Sequence, residues 1–445
     1  MSNDQTLPGN IVNKPIRSRY WILSAAILMF LVIVMGNITR VSDAAAACPD
    51  WPTCFGQLTF PADLSAQIAM LHRLLSGAAL VVTAIAWGIT AAHREGSTWV
   101  KRSLAAATLI LLGQTGLGAG VVLLKSPALL SVLHLGLALT TFGLVLIALV
   151  AAFVHPATVI AKKAAIKTPF THLTLATSLL VFVLLVSGAL VTATETGAAC
   201  GGWPLCNGGL PKNGAAWLAF GHRLITLVAA AFIIVQFLRA WQSQRSQPVQ
   251  LSAATGALLL LVGQVLIGAL KVQRGFPTDL VGLHAASAAA LWGVQVVLAA
   301  GAWLSGRSAA DELAESRQQR LPFGQRARDF LMLNKPIIVL LLLVTTYAGM
   351  VVGLKALPGF WVTFWTMIGG ALAAGGSSAL NQYIDRELDK NMQRTAKRPL
   401  PDGRLTPAEG LAYGLGACLL SFFLMAGFVN LLAAILSLAG MIYYV

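Results

Sequence analysis

The chain has 445 residues, 57% of them hydrophobic and only 11% charged, and its mean hydropathy is +0.76. These values exclude an ordinary soluble domain and indicate a polytopic membrane protein, because apolar runs of about 20 residues cross the hydrocarbon core as helices. The net charge of +15 does not indicate nucleic-acid binding, since the basic residues sit in short loops between apolar segments, as cytoplasmic loops do.

The N-terminus carries a basic flank, Lys14, Arg17 and Arg19, ahead of the first apolar run. No small-residue cleavage site closes that run, and no Arg- and Ser-rich amphipathic leader precedes it. It therefore reads as a retained helix of a bacterial protein. Spans are expected at Tyr20–Ile38, Ala66–Ala92, Leu104–Leu124, Leu129–Val154, Leu173–Val191, Ala215–Leu238, Ala253–Leu270 and Leu280–Leu304. Loops with Arg94, Lys101 and Arg102, with Lys162, Lys163 and Lys167, and with Arg239 and Arg245 share the side of the N-terminus. That side is expected to be cytoplasmic, across the inner membrane. The other loops face outward and carry little positive charge, with Lys271 and Arg274 a mild exception. Residues 305–329 form a charged linker, also placed in the cytoplasm. Further spans are expected at Ile337–Leu354, Phe360–Leu380 and Ala408–Phe428, and the apolar run from Leu431 to Val445 is short for another. The expected fold is all-α, with two four-helix units at 1–152 and 153–304, the linker, and an incomplete third unit of three to four spans at 330–445.

The first two units repeat each other. Cys48-Pro-Asp-Trp-Pro-Thr-Cys54 is followed 18 residues later by His72-Arg73. Cys200-Gly-Gly-Trp-Pro-Leu-Cys206 is followed by His222-Arg223. A second histidine comes 62 residues after the first in each copy, His134 and His284. Gly113-Gln114-Thr115-Gly116-Leu117-Gly118-Ala119 and Gly263-Gln264-Val265-Leu266-Ile267-Gly268-Ala269 lie between them, 150 apart. Such register marks a duplication. An even number of spans per copy makes the halves parallel, related by an axis along the membrane normal.

Each histidine falls near the outward end of its span, so each pair lies at similar depth on two helices. Two facing imidazoles are the axial ligand set of six-coordinate haem iron. A lone membrane histidine more often bonds a neighbouring helix. Four in register argue for function, because polar groups at that depth are costly. Arg73 and Arg223 either pair with haem propionates or snorkel to the interface. The outward compartment is oxidising, so Cys48–Cys54 and Cys200–Cys206 are expected as disulfides. A structural staple is preferred to a redox-active pair. Cys418 reads as packing.

Beyond the linker, Asn381, Asp385 and Asp389 recur at four-residue spacing, which lines them along one helix face. Arg394, Lys397 and Arg398 follow. Carboxylates in such a row suit Mg²⁺ with a substrate phosphate, and the cations suit a diphosphate leaving group.

Residues 20–304 resemble the haem A synthase family through the Cys-Pro-Asp-Trp-Pro-x-Cys loop, the two His-Arg pairs, the Gly-Gln stretches and the later histidines. The resemblance implies oxidation of a ring methyl of haem O to the formyl of haem A. It implies that His72 and His134 flank the substrate haem while His222 and His284 ligate a haem b cofactor. Family members usually carry a glutamate three residues before the first histidine; here Ala69 stands there, with Ala219 in the second half. Residues 330–445 resemble the first part of a protohaem IX farnesyltransferase (haem O synthase) of the UbiA type. The carriers are Asn334-Lys335-Pro336, Asn381-Gln382-Tyr383-Ile384-Asp385-Arg386-Glu387-Leu388-Asp389 and Arg394-Thr395-Ala396-Lys397-Arg398-Pro399. That resemblance implies farnesyl transfer from farnesyl diphosphate to protohaem IX, with Mg²⁺. Ile337 stands where the family commonly has arginine, and the second aspartate motif has no counterpart, so this unit alone is expected to be inactive. The partners implied are haem O, protohaem IX, farnesyl diphosphate, membrane lipid and an unidentified electron acceptor. A homo-oligomer is left open, and so are readings as a non-enzymatic haem electron-transfer or haem-handling protein and as a fragment of a longer protein whose main activity is protohaem farnesyl transfer.

Overall fold

The computed structural model describes residues 18–42, 44–57, 59–92, 98–153, 168–305, 307–317 and 322–445. The basic residues Lys14, Arg17, Arg94, Lys162, Lys163, Lys167 and Arg320 lie outside the described residues.

Four helices form the first half: α1 (Arg19–Val41), α2 (Leu64–Ala92), α3 (Thr98–Leu123) and α4 (Ala128–Phe153). Four form the second: α5 (Pro169–Ala193), α6 (Gly214–Ser243), α7 (Pro248–Gln273) and α8 (Thr278–Leu304). Then come α9 (Ala309–Arg317), α10 (Phe323–Leu333), α11 (Pro336–Leu354), α12 (Phe360–Asp389), α13 (Pro407–Phe428) and α14 (Leu431–Tyr444). No strand occurs among the described residues, and ten of these helices are long and apolar enough to cross a membrane. Helix α12 falls outside that set because tryptophan, threonine and glycine dilute its apolar stretch. Its far end instead carries the acidic motif as unbroken helix. Proline opens α5, α7, α11 and α13, where its missing N–H costs nothing. Helix α13 adds a capping box between Thr406 and Glu409.

The halves meet at α4 and α8 through a reciprocal contact. Trp292 of α8 lies over Gly143 of α4, and Phe142 of α4 lies over Gly293 of α8. Trp292 Nε1 also donates to the Leu139 carbonyl at 2.8 Å. Each half presents an aromatic ring and the next residue's bare backbone, 150 residues apart, as a two-fold interface requires. This is the parallel arrangement expected from the repeat.

Two features depart from the sequence expectation. The linker is largely helical and tied down. Gln244 donates to Glu312 at 3.1 Å, and Arg307 pairs with Glu315 at 2.7 Å. Arg326 pairs with the buried Glu409 at 2.6 Å. Its charges have partners at the α6–α7 turn and at the start of α13. Second, Lys271 lies inside α7 and not in a loop, while Arg274 donates to the Gly427 carbonyl at the end of α13 at 2.9 Å. Arg274 thus has a partner within the protein.

Helix α13 packs along α7 through small residues. Gly416 receives Leu259 and Thr255, Gly427 receives Leu270 and Leu266, and the Phe423 ring sits directly on Gly263. In a membrane, where lipid is as apolar as the side chains, such close backbone approach supplies the association. Cys418 is buried in the matching seam between α12 and α13, against Gly376. Helix α11 has no buried residue among the described residues, so this chain leaves its apolar surface largely uncovered. Gly263→Leu places a side chain where the Phe423 ring already is. It should cost about 1–3 kcal/mol by overpacking, and limited proteolysis in detergent should release residues 336–445 far faster than from the native chain.

Candidate active site

The four histidines share one local construction. His72 on α2 lies against Gly36 of α1, and a Cβ at Gly36 would be 2.9 Å from its ring. His134 on α4 lies against Gly118 of α3, with 3.3 Å to the same test atom. His222 on α6 lies against Gly188 of α5 at 3.0 Å, and His284 on α8 against Gly268 of α7 at 3.2 Å. Every imidazole thus rests edge-on against a glycine of the preceding helix, where a Cβ would crowd its ring. The repeat motif pointed to Gly118 and Gly268. Gly36 and Gly188 were missed, because glycine is common in membrane helices and nothing adjacent marks them.

A second layer holds these helices. Gln114 Nε2 donates to the His134 carbonyl at 2.8 Å, and Gln264 Nε2 to the His284 carbonyl at 2.7 Å. Ser76 and Thr226 donate to the carbonyls of His72 and His222 at 2.7 and 2.8 Å. The halves differ at one ring. His222 Nδ1 hydrogen-bonds the Ser187 hydroxyl at 2.8 Å, which fixes the ring's orientation. The matching position beside Gly36 is Met35, with no hydroxyl to offer.

The donor set fits haem. Within each half the two rings come from different helices and are close enough to interact electrostatically, His72 with His134 and His222 with His284. Among the described residues no three His, Cys, Asp or Glu side chains cluster. Each half therefore offers an axial pair and not a closed ligand cage. The buried Nδ1 atoms of His72, His134 and His284 have no hydrogen-bond partner among the described residues.

Over each pair sits a disulfide loop, with Cα atoms 4.9 Å apart for Cys48–Cys54 and 4.4 Å for Cys200–Cys206. Arg223 donates to the carbonyls of Gly202 at 2.6 Å, Cys200 at 2.7 Å and Pro204 at 3.0 Å. Arg73 likewise reaches the carbonyls of Asp50 at 2.8 Å, Cys48 at 3.0 Å and Thr53. The guanidinium next to each outer histidine is thus the anchor of its loop, a role that neither sequence reading of these arginines anticipated. Asp50 shapes the first loop from within. The Thr53 hydroxyl and the N–H groups of Gly56 and Phe55 donate to its carboxylate and hold its pKa down at about 2. Ala69 packs in a buried cluster with Cys48, Cys54, Ala66 and Met70, and Ala219 does so with Cys200, Cys206 and Phe220. Position 69 therefore lies directly beneath the disulfide.

The acidic motif lies on the last turns of α12 and the turn that follows. Asp389 is buried and pairs with Arg398 at 2.8 Å. Among the described residues the Asn381 and Asp385 side chains have no partner. Arg394 and Lys397 are exposed. Gln382, inside the motif, holds the Leu333 carbonyl at 2.7 Å, and Asn334 bonds the Tyr413 hydroxyl at 2.7 Å. The motif helix is thus tied to both α10 and α13.

Comparison with known proteins divides the chain in the same way. Residues 19–67 and 62–296 match the family model described as cytochrome oxidase assembly protein. Residues 342–445 match the UbiA prenyltransferase family. A protoheme IX farnesyltransferase of Roseiflexus sp. (strain RS-1) is 31% identical over 76% of this chain and 66% of its own. Proteins of the same name from Chloroflexus aurantiacus and Thermus thermophilus are each 29% identical. They cover 94% and 93% of this chain, and 69% and 70% of their own. Alignments of that breadth take in both matched segments, so both occur on one chain in those relatives. The chain spans about two thirds of the length of these relatives, and 52% of the one from Roseiflexus castenholzii.

Proposed function

The chain belongs to the cytochrome oxidase assembly protein family, and from that premise we propose that it is an enzyme of haem A biosynthesis. Residues 20–304 take haem O between His72 and His134 and oxidise its ring methyl toward the formyl group of haem A. His222 and His284 hold haem b, which supplies one-electron chemistry when bound. The observation that carries this reading is the fourfold repeat of an imidazole seated on a helix glycine, arranged as one pair per half.

The chain's own residues divide the work. Ser187 fixes the ring orientation of His222. No such hydroxyl acts on His72, and a substrate site that must release its product benefits from the looser ligand. Gln114 and Gln264 keep the α3–α4 and α7–α8 pairs in register. The two anchored loops close the outward mouths against water. The cysteine loops face the outer side of the membrane, and the N-terminus and linker the cytoplasm.

Residues 330–445 supply the first part of a protohaem IX farnesyltransferase unit. Asn381 and Asp385 offer free oxygens for Mg²⁺, with Asp389 beside them on the Arg398 pair. Mg²⁺ neutralises and orients the diphosphate of farnesyl diphosphate when bound. Arg394 and Lys397 stand free to meet the same diphosphate. A complete farnesyltransferase unit would make the haem O that residues 20–304 consume, and fusion would keep that hydrophobic intermediate at high local concentration.

The test is chromatography with mass spectrometry of haems extracted from the protein, purified from a host that makes haem O but not haem A. Haem A, or a hydroxylated precursor, beside haem b is the expected result. Haem b alone would overturn the oxidase assignment in favour of a bis-histidine electron carrier, the reading that Ala69 favours.

A further inference from the structure

Lys271 lies in the last turn of α7 and has no counter-ion among the described residues. It follows Gln264 and Gly268 on α7 at spacings of seven and three, on the helix face that meets His284. It is partly buried, and its charge acts on the rings of both His222 and His284 and on Arg223. Among the described residues no carboxylate pairs with it and no oxygen accepts from its ammonium. Arg223 cannot share its load, being bonded to three loop carbonyls. In the first half the matching position, 150 residues earlier and three after Gly118, is Val121.

An ammonium set at this depth, beside another cation, is destabilising unless an anion joins it. The anion must lie where α7 faces the two imidazoles. A molecule coordinated between them would place its peripheral groups there. We propose that Lys271 is the carboxylate anchor of the second histidine site, pairing with an acid side chain of the tetrapyrrole held by His222 and His284. This rests on reading that pair as a haem site. A neutralised carboxylate no longer opposes reduction of the iron, since reduction potential follows local net charge. The second site is therefore the retentive, higher-potential one. The first has Val121 at the matching position and so lacks this anchor. One substitution thus separates a resident cofactor from a substrate that must leave.

The experiment is an optical redox titration of the full chain in detergent, combined with the rate of haem loss to an excess of apomyoglobin. Lys271→Met should shift the reduction equilibrium of one haem about ten-fold toward ferric, a fall of about 59 mV for a one-electron couple, and should speed its loss about ten-fold. Lys271→Arg should stay near the native values. Val121→Lys should raise the potential of the other haem and slow its loss. Native potential and native retention in Lys271→Met overturn the proposal. If that variant does not fold, an unchanged first site in Val121→Lys overturns it instead. A native chain that purifies without any haem removes the haem reading itself, and the proposal with it.

Discussion

Alanine at His222 or His284 is expected to abolish the low-spin spectrum of the resident haem, with a loss of affinity at the upper end of, or beyond, the 10–100-fold typical of altering groups that merely support a ligand. The rings lie in a half of the protein that has no other histidine at their depth, so no neighbour can substitute. The fold should survive, because each ring packs on a glycine and its loss leaves a slot without unpairing any helix. Leucine at Gly188 or Gly268 should have nearly the same spectral effect by the opposite means. It fills the slot and drives an intact imidazole out of line. Alanine at His72 or His134 should leave that spectrum in place and remove the other. Two distinct haem signals, each erased by its own pair of substitutions, are the expected pattern in purified protein. Loss of both signals from any single substitution would show that the pairs are not independent sites.

Arg223→Ala should free the second disulfide loop. Three charge-assisted bonds hold it, at 2.6, 2.7 and 3.0 Å. Bonds of that type contribute about 1.5–3 kcal/mol each, but water at the loop recovers part of the loss. A net cost of about 3 kcal/mol is reasonable and corresponds to about a 100-fold rise in local opening. Hydrogen exchange over residues 200–210 should report it, while the helix cores of α6 and α8 stay protected. Arg223→Lys should recover only a fraction. An ammonium is a point charge and cannot present the planar fork that reaches several carbonyls together. Full protection in the lysine variant would mean that charge alone, not geometry, holds the loop. The same pair of changes at Arg73 should act on residues 48–57, where Asp50 gives the loop additional internal bonds and makes the effect smaller.

Much of the architecture was legible because membrane helices announce themselves by length and apolarity, and because the duplication printed each site twice. The histidine pairs, the paired glutamines and the disulfide loops all followed from that. What was not legible depends on who meets whom. Gly36 and Gly188 matter only because a ring from the next helix lies on them. Gly263 belonged to a visible motif, yet its packing partner, Phe423, is 160 residues away with no pattern linking them. Arg73 and Arg223 read as snorkelling or propionate-binding residues because sequence cannot show that a loop folds back over them. Lys271 read as loop because a charge lowers local hydropathy, though it lies in the last turn of α7.

Helix α7 is a party wall. One flank carries the glycine and glutamine that seat His284, and the other carries the seam with α13. The joint lies within the span, not in the connecting segment, so severing the connection should not part the two units. A gene split between α9 and α11 would yield two polypeptides that still find each other in the bilayer. Inheritance on one chain then fixes stoichiometry more than it creates proximity. It also ties the histories of the two units together, since any substitution along the wall is tested by both neighbours at once.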